Sequence, residues 1–415
     1  MQKTSARDPS DPVDSSYAWF RLLATLLIST ISGIGMWSMV VVLPAVQAEF
    51  GVARAEASLP YTLTMVCFAA GGLLLGRFAD RFGIIVPCVM GAFALGIGYV
   101  GASFTTSILQ FALVHGLVIG LIGSASGFGP LIADASLWFR KRRGLAVSIC
   151  ASGSYLAGTI WPPLIQYMTD RMGWRDTYAL IGIFSMVAML PLTLALKRPA
   201  PMDGVHGAPA ATSASAPSVP IVSPNTLQAL LMVAGVSCCV AMSMPQVHLV
   251  AYCADLGYGA ARGAEMLSLM LGFGIVSRLA SGWIADRIGG FTTLLLGSVL
   301  QMVALMLYVP FDGLMSLYVI SALFGLFQGG IVPSYAIIVR ENFSPREAGT
   351  RVGAVLMSTL VGMALGGWMT GAVFDYTGSY QAAFINGILW NVLNIAIVLW
   401  LMRRRRPAAP AAAMA

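Results

Sequence analysis

Twelve stretches of this chain are apolar for about twenty residues each, at roughly 21–43, 57–78, 84–103, 107–131, 145–167, 176–196, 226–250, 263–285, 291–310, 314–339, 349–374 and 380–402. A helix rises about 1.5 Å per residue, so about 20 residues cross a hydrocarbon core roughly 30 Å thick. Within lipid a backbone must satisfy its own polar groups, so each run is expected to be a helix. Composition agrees: 58% of residues are hydrophobic and 10% charged, with a mean hydropathy of +0.81, where soluble domains carry roughly 25% charged residues. A soluble enzyme, a nucleic-acid binder and a disordered regulator are excluded. The first run is too long for a cleavable signal, and no small-residue cleavage site with a soluble domain follows it, so this helix is expected to stay in the membrane. The expected fold is an all-α membrane protein with twelve transmembrane helices.

Charge placement orients the spans. With the N-terminus in the cytoplasm, nineteen of the 24 Lys and Arg fall on the cytoplasmic side and four (Arg54, Arg171, Arg175, Arg262) on the outer side, with Arg278 left inside a span. The acids divide nine to eight. The asymmetry therefore belongs to the cations, as the positive-inside rule requires. The net charge of +7 reports topology and leaves no need for a nucleic-acid partner. Both termini are expected in the cytoplasm, and the protein in the cell inner (plasma) membrane. The six Cys (67, 88, 150, 238, 239, 253) lie in or beside apolar runs without metal-ligand spacing, so they read as small core residues and no metal or other cofactor is expected.

Two halves repeat. Gly76-Arg-Phe-Ala-Asp80-Arg81-Phe-Gly83 recurs as Gly282-Trp-Ile-Ala-Asp286-Arg287-Ile-Gly289, an offset of 206, and Asp170 with Gly173 recurs as Asp375 with Gly378, an offset of 205. Two copies in the same direction imply a parallel duplication of a six-helix unit, an arrangement secondary transporters use. The expected divisions are a tail at 1–20, bundles at 21–198 and 226–402, an Ala/Pro/Ser-rich cytoplasmic linker at 199–225 and a tail at 403–415. The loop motif G-x-x-x-D-R-x-G puts Asp80, Arg81, Asp286 and Arg287 at the cytoplasmic surface. There they are expected to act as a latch that closes the inner face and opens when the halves rock.

These loops resemble the signature of the major facilitator superfamily, across all twelve spans, and the resemblance implies two six-helix bundles, alternating access and a central binding site. A narrower resemblance follows from Trp138-Phe139-Arg140-Lys141-Arg142-Arg143-Gly144-Leu145-Ala146-Val147-Ser148 and from Asp14-Ser15-Ser16-Tyr17-Ala18-Trp19. These are similar to two signatures of the monocarboxylate transporter family. Trp138 stands where the family has Tyr, Ser148 where it has Gly, and a bacterial member is expected.

Arg278 is the sharpest single residue. It lies eight residues before Asp286, about 12 Å from the inner surface at 1.5 Å per residue, where a charge costs roughly 2.5–3.5 kcal/mol on insertion scales. No Asp or Glu occupies the middle of any span. An arginine so placed is expected to face a wet cavity and hold an anion, and a carboxylate suits its planar fork. In the family an arginine on helix 8, followed four residues later by Gly (here Gly282), binds the substrate carboxylate, and Arg278 matches that position. Two departures stand out: eukaryotic members have an Asp where this chain has Gly274, and a Lys where it has Trp37. The missing Asp removes a competitor for the guanidinium and is expected to leave space for substrate. It also removes a proton carrier, so His115 and His248 become the coupling candidates. Candidate cavity walls are Trp37, Tyr155, Trp161, His248, Gln328, Tyr335 and Trp368.

The expected function is secondary active transport of a small organic anion, most simply a monocarboxylate with a proton. The alternatives are exchange against a counter-anion, or carriage of a larger aromatic or non-carboxylate substrate. No mid-membrane acid or metal cluster exists for enzyme chemistry, and no phosphate-binding Gly-rich loop points to nucleotide. The expected partners are substrate, proton or counter-anion, and membrane lipid. Asp80→Asn and Asp286→Asn should each lower turnover more than substrate affinity, measured as separate kcat and KM for uptake, because a latch acts on rocking and not on contact.

Overall fold

The computed structural model describes residues 13–139, 142–198 and 223–404, helical almost throughout. Among the described residues eleven helices are long and apolar enough to cross a membrane. They are α1 (Ser16–Phe50), α2 (Arg54–Phe82), α3 (Ile85–Ser103), α4 (Ile108–Leu137), Gly144–Leu194, α7 (Pro224–Asp255), α8 (Ala260–Ile288), α9 (Gly290–Leu307), α10 (Leu314–Asn342), α11 (Glu347–Thr377) and α12 (Tyr380–Arg403). Gly144–Leu194 turns at Gly173, whose φ is +81°, and so supplies two spans, α5 (144–172) and α6 (174–194). All twelve expected spans are thereby present. Most of the expected linker and of both tails lies outside the described residues, as do Arg140 and Lys141 of the basic loop.

The glycines of the two sequence repeats share one physical role. Gly83, Gly173, Gly289 and Gly378 all take positive φ, the backbone region that glycine alone enters cheaply, and each ends a helix at a tight turn. Helix pairing repeats as the sequence does. In the first half α1 packs on α5, α2 on α4 and α3 on α6, and in the second α7 packs on α11, α8 on α10 and α9 on α12. Small residues let these pairs approach. A Cβ on Gly33 would meet that of Ala157 at 2.6 Å, and one on Gly362 would meet that of Cys239 at 2.9 Å, the close packing that joins helices in a membrane. Between the halves, α2 meets α11 and α5 meets α8. Large apolar side chains such as Ile97, Val187 and Leu389 point outward with more than 60% of their surface uncovered, as lipid-facing residues must. An even number of spans puts both described chain ends on one face, called here the basic face; the opposite one is the far face.

The two segments similar to the monocarboxylate transporter signatures pack on each other at the basic face. The Asp14 N–H donates to the Trp138 carbonyl at 3.0 Å, Tyr17 meets Trp138 edge-on at 5.4 Å and Trp19 meets Phe139 at 5.0 Å. Beneath them α4 continues past its expected end at 131 to Leu137, carrying Asp134 inward. There Arg21, counted from sequence among the surface cations, is 1% exposed. It donates to both Asp134 oxygens at 2.9 Å and to the Arg198 carbonyl at 3.0 Å, and lies 4.5 Å from the Trp138 ring. A buried ion pair costs most when only one partner is removed, about 3–5 kcal/mol. Asp134→Ala should therefore lower the apparent Tm in detergent strongly, and Arg21→Leu combined with Asp134→Leu should recover most of the loss.

Candidate functional site

Arg278 lies on α8 and is partly exposed. Its Nη1 donates to the Ala151 carbonyl of α5 at 3.0 Å, and the guanidinium stands 4.3 Å from the centre of the Tyr155 ring. Nε is buried with no hydrogen-bond partner among the described residues, and no described acid pairs with this arginine. The charge is thus held by a π face and a carbonyl, two neutral partners that steady a cation without cancelling it. An unfilled N–H edge beside such a charge is a place for an anion.

Gly274 explains how Tyr155 gets there. A Cβ on Gly274 would collide with the Tyr155 ring, so the bare backbone of α8 admits the ring one turn before Arg278. The space expected for substrate at Gly274 is therefore filled by this tyrosine, which also forms the shelf for the guanidinium. Across α8 the helix α10 breaks at Gly329–Gly330, between Gln328 and Ile331. Both glycines lie directly against Gly274, Ser277 and Ser281, so the break brings Gln328 beside the Arg278 helix. The Gln328 Oε1 accepts from Gln246 Nε2 of α7 at 2.8 Å, and its own Nε2 is buried and unpartnered among the described residues. Trp37 of α1 abuts Gly158 of α5, where Leu271 of α8 also packs, and its indole N–H donates to the Ser154 carbonyl at 3.1 Å. Arg278, Tyr155 and Trp37 thus lie along the seam between α5 and α8, whereas Gln328 is bonded to Gln246 of α7 within the second half. Gln246 was not singled out from sequence; a glutamine inside an apolar span, next to Pro245, is the signal that marks it.

Other candidates lie elsewhere. Tyr335 is fully buried in the second half, donating to Asn394 Oδ1 at 2.9 Å, and Asn394 continues to Ser298 at 2.8 Å. His115 is sealed in the first half. Its Nδ1 meets Thr64 Oγ1 at 2.9 Å and its Nε2 meets the Tyr178 hydroxyl at 3.2 Å, amid the Tyr99, Phe111 and Tyr178 rings. It is the second residue of the stretch Val114–Ser124, where α4 winds as a wider π-helix. His248 is buried on α7, its Nε2 donating to the Gly367 carbonyl of α11 at 2.8 Å, with Nδ1 unpartnered among the described residues. Trp161 donates to the Thr30 carbonyl at 2.9 Å, and Trp368 is 41% exposed. A groove of about 410 Å³ between α5 and α8, which includes Thr159, Glu265 and Ser268, has the exposed Phe273 and Val276 in its wall and does not contain Arg278.

The two faces differ. At the far face Arg54 of α2 binds the second half: Nη2 lies 3.0 Å from Asp255 and Nη1 donates to the Tyr380 hydroxyl at 2.6 Å. Both Asp375 oxygens accept from backbone N–H groups, of Arg54 and of Ala55, at 2.8 Å. Thr62 donates to the Ala364 carbonyl at 3.2 Å, and Ser268 donates to the Thr159 carbonyl. At the basic face Asp80, Arg81, Asp286 and Arg287 are exposed. Neither Asp there accepts a hydrogen bond from a described residue, and Arg287 lies over Trp283 of its own helix at 3.6 Å. The described halves are joined at the far face and carry no ion pair between them at the basic one.

A family model described as Major Facilitator Superfamily matches residues 25–320 and 311–414. The chain is similar to monocarboxylate transporter 13 of Bos taurus, at 27% identity over 380 residues covering 91% of this chain and 87% of that one. It is also similar to the MFS-type transporter opdF of Penicillium oxalicum, at 26% over 76% and 74% of the two chains. Among solved structures, a bacterial homolog of the human lysosomal transporter Spinster, in an inward-facing and unoccupied conformation, matches with a TM-score of 0.73 at 14% identity, covering 95% of this chain and 100% of that one. The nucleoside transporter NupG matches with a TM-score of 0.71 at 14% identity, covering 92% and 99%.

The ring beneath Arg278 makes position 274 testable. Gly274→Asp should fail to accumulate as folded protein, because the new side chain and Tyr155 claim one volume. Adding Tyr155→Ala should restore folding, read as a monodisperse size-exclusion peak, while leaving an arginine paired to an internal carboxylate and weakened for anions.

Proposed function

The chain belongs to the Major Facilitator Superfamily, and from that premise we propose that this transporter carries a small monocarboxylate across the cell inner membrane by alternating access, with a proton as coupling partner. The observation that carries the reading is Arg278, a guanidinium with neutral neighbours and an unfilled buried Nε–H. A carboxylate suits it because two oxygens match two N–H groups of the planar fork. Relatives named monocarboxylate transporters support the same substrate class. Trp37, Tyr155, Gln328 and Gln246 supply walls and hydrogen-bonding groups around the carbon skeleton.

The cation asymmetry orients the basic face, with both termini, toward the cytoplasm. The far face is then the outer one, and the Arg54 contacts hold it shut while the latch residues Asp80, Arg81, Asp286 and Arg287 stand exposed on the cytoplasmic side. Rocking exchanges the two arrangements. His248 is the histidine the geometry favours as proton carrier: its Nδ1 is unpartnered among the described residues while Nε2 ties α7 to α11, whereas both His115 nitrogens are engaged within one half. A second reading, exchange of one anion for another, is favoured by the surroundings of Arg278, where Gly274 and Tyr155 leave no acid among the described contacts.

Proteoliposomes holding the full chain test both. Wild type should accumulate a labelled monocarboxylate under an inward proton gradient. Arg278→Lys should lose transport about tenfold or more, a change of about 1.4 kcal/mol at least, because an ammonium cannot copy the fork. His248→Gln should lose pH-driven accumulation but keep exchange of internal for external substrate, since exchange returns a loaded carrier, and His115→Gln should keep both. Near-wild-type uptake with unchanged KM in Arg278→Lys would refute the anion site. Exchange without any response of wild type to a proton gradient would make exchange the mechanism.

A further inference from the structure

Arg54 resembles Arg278 in one respect: its Nε is also buried and unpartnered among the described residues, on a residue only 7% exposed. Every described partner of its side chain belongs to the opposite half, namely Asp255 on α7, Tyr380 on α12 and the Phe374 ring at 5.0 Å on α11. Asp375 adds its carboxylate to the N–H groups of Arg54 and Ala55. This approach is close because Gly371 has no side chain: a Cβ there would come within 2.8 Å of the Ala55 nitrogen and the Arg54 carbonyl.

We propose that Arg54, with the backbone N–H groups of Arg54 and Ala55, is a second carboxylate-binding site at the outer mouth, filled by Asp255 and Asp375 when that mouth is closed and by the carboxylate of an arriving substrate when it opens. The closed state displays the chemistry of the site: two carboxylates already occupy it. When the halves part, α7, α11 and α12 withdraw all of these partners together, leaving a guanidinium and two N–H groups on the first half. No described acid of that half contacts Arg54, so an external carboxylate is the ligand that can replace what is lost. Its binding competes with Asp375 and thereby favours the open mouth, a gate released by the anion it admits. The arrangement is one-sided. Asp170, the sequence repeat of Asp375, accepts from Gln166 of its own helix at 2.7 Å, not from the start of α8. The inference rests on the proposed function for the outward orientation of the far face, for the parting of the halves there and for identifying the external anion as the substrate.

The test reads the gate separately from transport. Val247 of α7 is fully buried and lies near Gly367, against which Tyr61 of α2 packs, so Val247→Cys in proteoliposomes reports opening by its reaction with an impermeant maleimide. The chain without that substitution supplies the background from the native cysteines. External L-lactate, but not neutral lactamide, should raise labelling about five- to tenfold. Arg54→Gln should raise basal labelling and abolish the lactate increment, and Arg278→Lys should retain it. Asp375→Asn, which keeps the arginine but removes the charge that competes for the Arg54 and Ala55 N–H groups, should lower the half-effective lactate concentration about tenfold, and it decides the matter if Arg54→Gln does not fold. An increment that survives Arg54→Gln, disappears in Arg278→Lys or is absent from wild type overturns the proposal, as does an unshifted half-effective concentration in Asp375→Asn. Uptake of labelled lactate by wild type judges the transport reading on its own, and its failure leaves the labelling result standing.

Discussion

A guanidinium inside a bilayer requires water or a counter-charge, and here no counter-charge is supplied among the described residues. Arg278 rests instead on Tyr155 and the Ala151 carbonyl, partners that steady a cation without neutralising it. Such a residue is tolerated where it faces the interior of a bundle or a water-filled space and not the lipid. The rest of the architecture follows from that requirement. Two six-helix halves meet along α2–α11 and α5–α8, and Arg278 reaches across the second of these seams.

The seams differ in material along their length. Toward the far face they are joined by a charged clamp, Arg54 with Asp255 and Asp375, together with hydroxyl-to-carbonyl bonds such as Thr62 to Ala364. Within each half, helices close-pack through glycine, as where Gly71 lies on the Leu121 backbone and Gly325 on that of Met270. The two kinds of contact suit two tasks. Close-packed helix pairs resist rearrangement, whereas polar contacts can be exchanged for water or ligand. The buried Arg21–Asp134 pair belongs to the rigid kind, fastening α1 to α4 and seating the aromatic residues that precede the basic loop.

Much of this fold is legible in the sequence because lipid imposes a simple code. Length and apolarity mark each span, and the repeated Gly83/Gly289 and Gly173/Gly378 mark turns that need positive φ. Arg278 stands out because a lone charge in an apolar run has few physical explanations. The polar residues were harder to sort. Tyr335, a candidate cavity wall, and His115, a coupling candidate, are each hydrogen-bonded inside one half, by Asn394 in one case and by Thr64 and Tyr178 in the other. Their hydrogen-bond partners are distant in sequence, so spacing holds no trace of them. Arg21 and Arg54 count as surface cations in the sequence, yet the fold buries both and pairs them with Asp134 and Asp255.

What the sequence determined by itself was therefore the one-dimensional part: twelve spans, their duplication, the asymmetry of the cations and the isolated arginine. Each depends on local composition or on a single residue against its neighbours in the chain. Tertiary structure decided which polar groups share a space. It set Tyr155 against Gly274 and under Arg278, joined Gln246 to Gln328, and closed Asp255 and Asp375 over Arg54. The physical reason is that these contacts join helices whose relative rotation and depth come from close packing summed over the whole bundle, which no local pattern encodes.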